Sequence, residues 1–219
     1  MIKSLVVLIE SGLSESVENI IKKSLFSTCK TLNFAFDFVY FGQNYPILSN
    51  DYKFKNYLRV KIDPNTISSV ELSYIIAEFI KQNGYEFILL PSFPVLKFYS
   101  SIAGALAAKT DFNFANEVFE IEQKSGSIYA KRPSLNGILT QKFAFPLIIG
   151  ISYLKTSSDI LFEQKFNEQI EVRDITLDSL GFGKQLIDMK NYEKLHIKPF
   201  ESSEIRKIST SEELLEWFS

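Results

Sequence analysis

Cysteine and histidine are almost missing from this chain: Cys29 and His196 are the only ones among 219 residues. One thiol cannot close an internal disulfide, and one thiol with one imidazole cannot fill a four-ligand zinc shell, so neither staple is expected. No Ser, Asp or Cys stands at a catalytic spacing from His196, which reads as a half-buried, hydrogen-bonded residue in a strand-like run. Cys29 reads as a small apolar residue at the end of a helix. Long apolar runs are missing too. Ser4 to Ile9 spans only six residues behind a single lysine, too short for a membrane span or the core of a signal peptide. Nor is there a charge excess: 24 Lys and Arg meet 26 Asp and Glu, which leaves no field to gather a polyanion. These absences predict a cytoplasmic protein without nucleic acid, membrane insertion or a metal.

What is present is apolar and aromatic. Apolar residues make up 46% of the chain, with 20 Phe and 10 Tyr, enough for a single large core dominated by rings. Leu5 to Ile9 is a continuous apolar run of the kind buried on both faces of a parallel sheet. Val17, Ile20, Ile21 and Leu25 then line one face of a helix. Phe34 to Phe41 and Tyr57 to Ile62 read as strands, Thr66 to Gln82 as a helix closed by Asn83-Gly84, and Phe87 to Leu90 as a fourth strand. Strand and helix alternate, which predicts an α/β fold: a three-layer αβα sandwich on a mostly parallel sheet.

Val95 to Lys109 is a helix crowded with small residues, and close backbone approach is the expected reason for Gly104. After residue 110 the texture changes. Phe114 to Gln123, Ser127 to Arg132, Gly137 to Phe143 and Leu147 to Ser152 read as short strands in antiparallel succession, with a turn at Ser125-Gly126. Thr176 to Leu180 is a short helical turn before Gly181, and Thr210-Ser-Glu-Glu213 is a capping box opening a last helix. The expected division is a sandwich over 1–152 with an antiparallel extension, and a tail over 153–219 that wraps a partner.

Several of these pieces in order resemble one family. They are Phe87-Ile-Leu-Leu90, Ser101-Ile-Ala-Gly-Ala-Leu-Ala-Ala-Lys109, Asn116-Glu-Val-Phe-Glu-Ile-Glu122, Arg132-Pro-Ser-Leu-Asn-Gly137 and Phe145-Pro-Leu-Ile-Ile149. The succession is similar to the nucleotide-binding-like domain, of adenine nucleotide alpha hydrolase type, shared by both subunits of electron-transfer flavoproteins. Ile170 to Gly181 and Ile197-Lys-Pro199 resemble the tail of the beta subunit, and the chain stops before the place where an alpha subunit carries its flavin domain. The resemblance implies a non-catalytic beta-like subunit in a heterodimer. FAD would be held mainly by an alpha-like partner, and electrons would pass from an acyl-CoA or other dehydrogenase to an acceptor.

The same resemblance implies a buried AMP beside the fourth strand, with Leu8 lying along the nucleotide through its backbone. The loop Pro91-Ser-Phe-Pro-Val-Leu-Lys-Phe-Tyr99 departs from the family. It has no glycine and no carboxylate, and its two prolines supply no N–H, which leaves Ser92 and Lys97 as its only anion-facing groups and counts against AMP. Arg132 corresponds to the flavin side of the subunit interface. Leu161 and Phe162 fall where the family's beta subunit anchors a dehydrogenase, and as plain residues they also read as core beneath a loop.

Two alternatives accompany this reading. One is a diverged member of the fold that binds no cofactor and acts as a scaffold. The other is an ATP-hydrolysing enzyme, because Ser11-Gly-Leu-Ser-Glu-Ser16 approximates a pyrophosphate-binding loop; Leu13 stands where a second glycine would bring the backbone to the phosphates, and an N-cap at Ser14 is the simpler account.

Overall fold

The computed structural model describes residues 2–10, 13, 15–44, 53–92, 97–135, 137–152 and 171–182. They lie within one compact unit, Met1–Lys184; a second unit, Gln185–Ser219, lies outside the described residues together with the expected last helix and His196. In chain order the elements begin with β1 (Ser4–Ile9), α1 (Glu15–Thr31), β2 (Phe36–Phe41) and β3 (Tyr57–Val60). A single helical turn at Pro64–Thr66 leads into α2 (Ser69–Asn83), β4 (Phe87–Pro91) and α3 (Lys97–Thr110). Then come β5 (Asn113–Val118), β6 (Glu120–Lys124), β7 (Ser127–Ser134), β8 (Gly137–Phe143), β9 (Leu147–Ile151), β10 (Val172–Ile175) and a last turn at Asp178–Leu180.

Seven strands form one sheet in the order β10-β3-β2-β1-β4-β9-β5, and every neighbouring pair is parallel. The fold is the expected α/β class with its sheet sandwiched between helical layers. The expected antiparallel succession after residue 110 is corrected, since only β6, β7 and β8 are antiparallel, as a separate sheet. The run from Phe114 breaks at Phe119 into β5 and β6, and β9 slots between β4 and β5 in the main sheet. A short apolar run states that it is buried but not which way its neighbours point. The sheet also extends past residue 152, because β10 pairs with β3 at its far edge.

Alternation along the strands divides the core. Val6, Leu8, Phe36, Phe38 and Phe87 face α1, where Ile21, Leu25 and Phe26 meet them, and Ile128, Ala130 and Phe143 of the small sheet continue the same cluster. Rings fill it edge to face: Phe26 lies 5.2 Å from Phe54, and Phe87 lies 5.4 Å from Phe145. Such pairs add about 0.5–1.5 kcal/mol each beyond the area they bury. The opposite face holds Phe41 against Phe79 of α2, while α3 packs beside α2.

Local chemistry fixes the ends of α2. The Ser68 side chain accepts from Glu71 N at 3.2 Å, and the Glu71 carboxylate accepts from Ser68 N at 2.8 Å, a reciprocal capping box. Gly84 closes the helix with φ 65°, as Asn83-Gly84 predicts. Among the described residues a Cβ at Gly104 would meet nothing within 4 Å. No close approach to a described element of this chain accounts for that glycine.

Candidate functional site: the parting of β1 and β4

Because all seven strands are parallel, their carboxyl ends share one edge, and chain order reverses there between β1 and β4. Ligands of open α/β sheets enter at such a reversal. The ladder between the two strands ends at Val6 and Leu89. Each strand nonetheless continues with its outer neighbour, β1 to Ile9 beside Phe41 and β4 to Pro91 beside Ile151. The strands therefore part beyond this point, with the buried Leu8 and Ile9 on one side of the parting and the buried Leu90, Pro91 and Ser92 on the other.

Each side is braced by a polar cluster. On the β1 side, the Glu10 carboxylate accepts from Gln43 N at 2.5 Å and from Asn44 Nδ2 at 2.7 Å. Gly42 makes this possible, since a Cβ there would lie 2.5 to 2.7 Å from the Tyr40 ring and Glu10. Gln43 O in turn accepts from Arg59 at 3.0 Å, and Arg59 forks onto Asp174 at 2.8 and 2.5 Å. Arg59 is buried and Asp174 half-open to water, so this bidentate pair pins β10 to β3 while the chain of bonds reaches back to β1.

On the β4 side, Ser92 is fully buried. Its N–H donates to Ile151 O at 2.7 Å, and its hydroxyl donates to Asn116 Oδ1. Asn116 is carried inward by an irregularity in β5 between Ala115 and Val118, where Glu117 adopts φ 56°. Bulges of this kind re-aim side chains beside binding sites. Gly150 on β9 gives the pair room: a Cβ there would stand 2.6 Å from Ser92 Cβ and closer still to Asn116 Oδ1.

A second concavity, of about 1230 Å³, opens at the opposite, amino edge beside Asp37, Asn56, Tyr85 and Arg173. Its central polar groups are spent on one another. Asp37 accepts from Asn56 Nδ2 at 2.6 Å and from Tyr85 OH at 2.8 Å, and the Lys3 ammonium lies 4.5 Å from the Tyr85 ring centre. Burial, followed by the bond to Asp37 and its charge, pushes the Tyr85 phenol far above its ordinary range, so it remains a proton donor. Position in the sheet and the parting of two strands favour the carboxyl edge, which we take as the site.

The residues foreseen from sequence distribute as follows. Leu8 and Ser92 stand on the two sides of the parting; the Leu8 side chain is buried in the α1 face, so only its backbone can face a ligand. Lys97 is the first residue of α3, and its side chain lies outside what the structure describes. Arg132 is on β7, donating to Gln141 Oε1 at 3.3 Å while its buried Nε has no partner among the described residues. Lys131 O, next to it, accepts from Phe119 N just beyond β5, which sets Arg132 on the same edge of the molecule as Ser92. Leu161 and Phe162 lie outside the described residues, as do Ser11, Gly12 and Ser14 of the phosphate-loop alternative.

Sequence reading missed Glu10, Asn116 and Gly150. It also missed an arm: β8 is exposed from Gly137 to Lys142, and the β7–β8 turn carries Leu135 (104% exposed), Ile138 (68%) and Leu139 (39%). Among the described residues no group of three or more His, Cys, Asp or Glu could hold a metal ion, and no helix is long and apolar enough to cross a membrane. No protein-family model matches the chain, and no curated protein matches it significantly.

Proposed function

We propose that this chain is a beta-like companion subunit of an electron-transfer flavoprotein, working in the cytoplasm. It docks on a FAD-bearing partner that passes electrons between a dehydrogenase and an acceptor. The redox chemistry belongs to the flavin, and this chain contributes orientation and electrostatics. The observation that carries the reading is the arm. The segment Arg132 to Gly137, one of the stretches whose succession carries the family resemblance, lies at the end of β7 and in its turn, and its Leu135 stands in water with Ile138 and Leu139 of β8. Exposed apolar side chains gathered at one projection mark a contact surface. The carboxyl edge of the sheet supports the same reading, since Leu8 and Ser92 stand on the two sides of the parting of β1 and β4. With the Ser92 hydroxyl already given to Asn116, the proposal assigns no AMP to this chain.

Co-expression with candidate flavin-bearing subunits tests it. The chain alone is expected to be colourless and to co-purify with a yellow partner, and Leu135→Asp is expected to weaken that complex about tenfold or more, as loss of a central apolar anchor does. Stoichiometric FAD on the isolated chain, or ATP turnover by it, would overturn the proposal.

A further inference from the structure

Among the described residues no strand lies outside β8, so the arm has an open backbone edge as well as exposed side chains, and the orientation of that edge follows from one hydrogen bond. Phe119 N donates to Lys131 O at 3.0 Å, so the backbone groups of Lys131 face β6 and not β8. Antiparallel pairs alternate between bonded and non-bonded. Thr140, opposite Lys131, therefore turns its N–H and C=O away from β7, and so do Ile138, opposite Pro133, and Lys142, opposite Tyr129. Pro133 agrees with this assignment, having no N–H to offer. β8 is the last strand of its sheet, so these groups are presented outward in a row. An edge of that kind templates the addition of another strand.

We infer that two copies of this chain pair through β8, antiparallel about Thr140, joining two three-stranded sheets into one of six. The strand fits itself. With Thr140 opposite Thr140 of the second copy, the two exchange both backbone bonds, Ile138 lies opposite Lys142, and Leu139 lies opposite Gln141. Threonine pairs and apolar contacts at these spacings stabilise sheets, and Leu139 meets its own copy diagonally. The cations stay apart. From residue 124 to 158 the sequence carries basic residues and no Asp or Glu, so a register that set lysine against lysine would be repulsive. In this one the two Lys142 stand about 13 Å apart along the strands, beyond a Debye length of about 8 Å at physiological salt. No foreign sequence is needed to satisfy the edge, which is why a second copy is the occupant. The inference does not rest on the flavoprotein reading: that reading draws on the exposed side chains of Leu135, Ile138 and Leu139, and this one on the outward backbone groups of β8.

Sedimentation equilibrium on the full chain, from micromolar to several hundred micromolar, tests it. The wild type is expected to dimerise. Thr140→Pro removes an outward N–H and blocks the added strand without touching the β7 ladder. It is expected to keep the wild-type circular dichroism and melting temperature while weakening the dimer about tenfold or more. A second variant reads the register directly. Thr140→Cys exposes a thiol beside its own copy, whereas Cys29 is buried, so mild oxidation should yield a covalent dimer that Ser127→Cys does not give. A wild type that is monomeric throughout, including one whose β8 edge binds only another polypeptide or anionic vesicles, overturns the inference. So does a Thr140→Pro dimer as tight as wild type.

Discussion

β4 and β8 draw on the same apolar residues, Phe87-Ile-Leu-Leu-Pro91 against Gly137-Ile-Leu-Thr-Gln-Lys-Phe143, yet every residue of β4 is buried while β8 is exposed as far as Lys142. The difference lies in their neighbours. β4 has β1 and β9 on either side and helices over both faces, whereas β8 has β7 on one side and water on the other. Apolar composition makes a strand, and topology decides whether its surface is used for folding or left for a contact. The body spends its rings on the core. The arm keeps leucine and isoleucine in water, where they contribute little to the stability of the monomer.

Substitutions can break or sharpen that contrast. Phe87→Ala should cost about 3–5 kcal/mol by urea denaturation, the usual loss for a buried phenylalanine, while Leu135→Ser on the arm should stay within about 0.5 kcal/mol. Equal losses at the two sites would erase the distinction between body and arm. At the parting, Gly150→Ala forces a Cβ onto Ser92 and Asn116 and should cost about 1–3 kcal/mol, seen as a lower denaturation midpoint. No change there would mean that the Ser92 side yields easily.

Alkali probes the body through two buried protonated groups, Cys29 and Tyr85. Burial raises the Cys29 thiol, and burial with Asp37 raises the Tyr85 phenol. Both folded-state values lie above the unfolded ones, so their stabilisation is complete below about pH 8.5 and is lost as pH rises further. Once each group ionises in the unfolded chain, stability should fall by about 1.4 kcal/mol per pH unit per group. Urea curves at about pH 8 and about pH 10.5 read this, and Tyr85→Phe should remove its share of the slope while leaving that of Cys29. The smallest effect belongs to α3: with no described residue near its Cβ, Gly104→Ala should raise stability by up to about 1 kcal/mol through helix propensity. A loss in thermal midpoint would mean that something packs where the glycine now leaves room.

Much of the body was legible because its signals are local. Apolar runs marked β1 and β4, helical spacing marked α1, and Asn83-Gly84 marked the end of α2. The capping box at Ser68 and Glu71 was equally local and went unread. The site was legible only in part. Ser92 stood out by its loop, but Asn116 and Gly150 reach it only because β9 inserts between β4 and β5, an ordering that no stretch of sequence states. β10 was hidden for a related reason: its short, half-polar run is committed to the sheet by Arg59 and Asp174, which are 115 positions apart.

The insertion of β9 also bears on how this polypeptide is made. β4 and β5 emerge from the ribosome before the strand that must lie between them, and β3 waits still longer for β10. Until Leu147 to Ile151 has been synthesised, the nascent sheet carries an unfilled slot beside its most apolar strand. Such delayed, long-range closure makes folding slow and leaves that slot as the place where a holdase would bind.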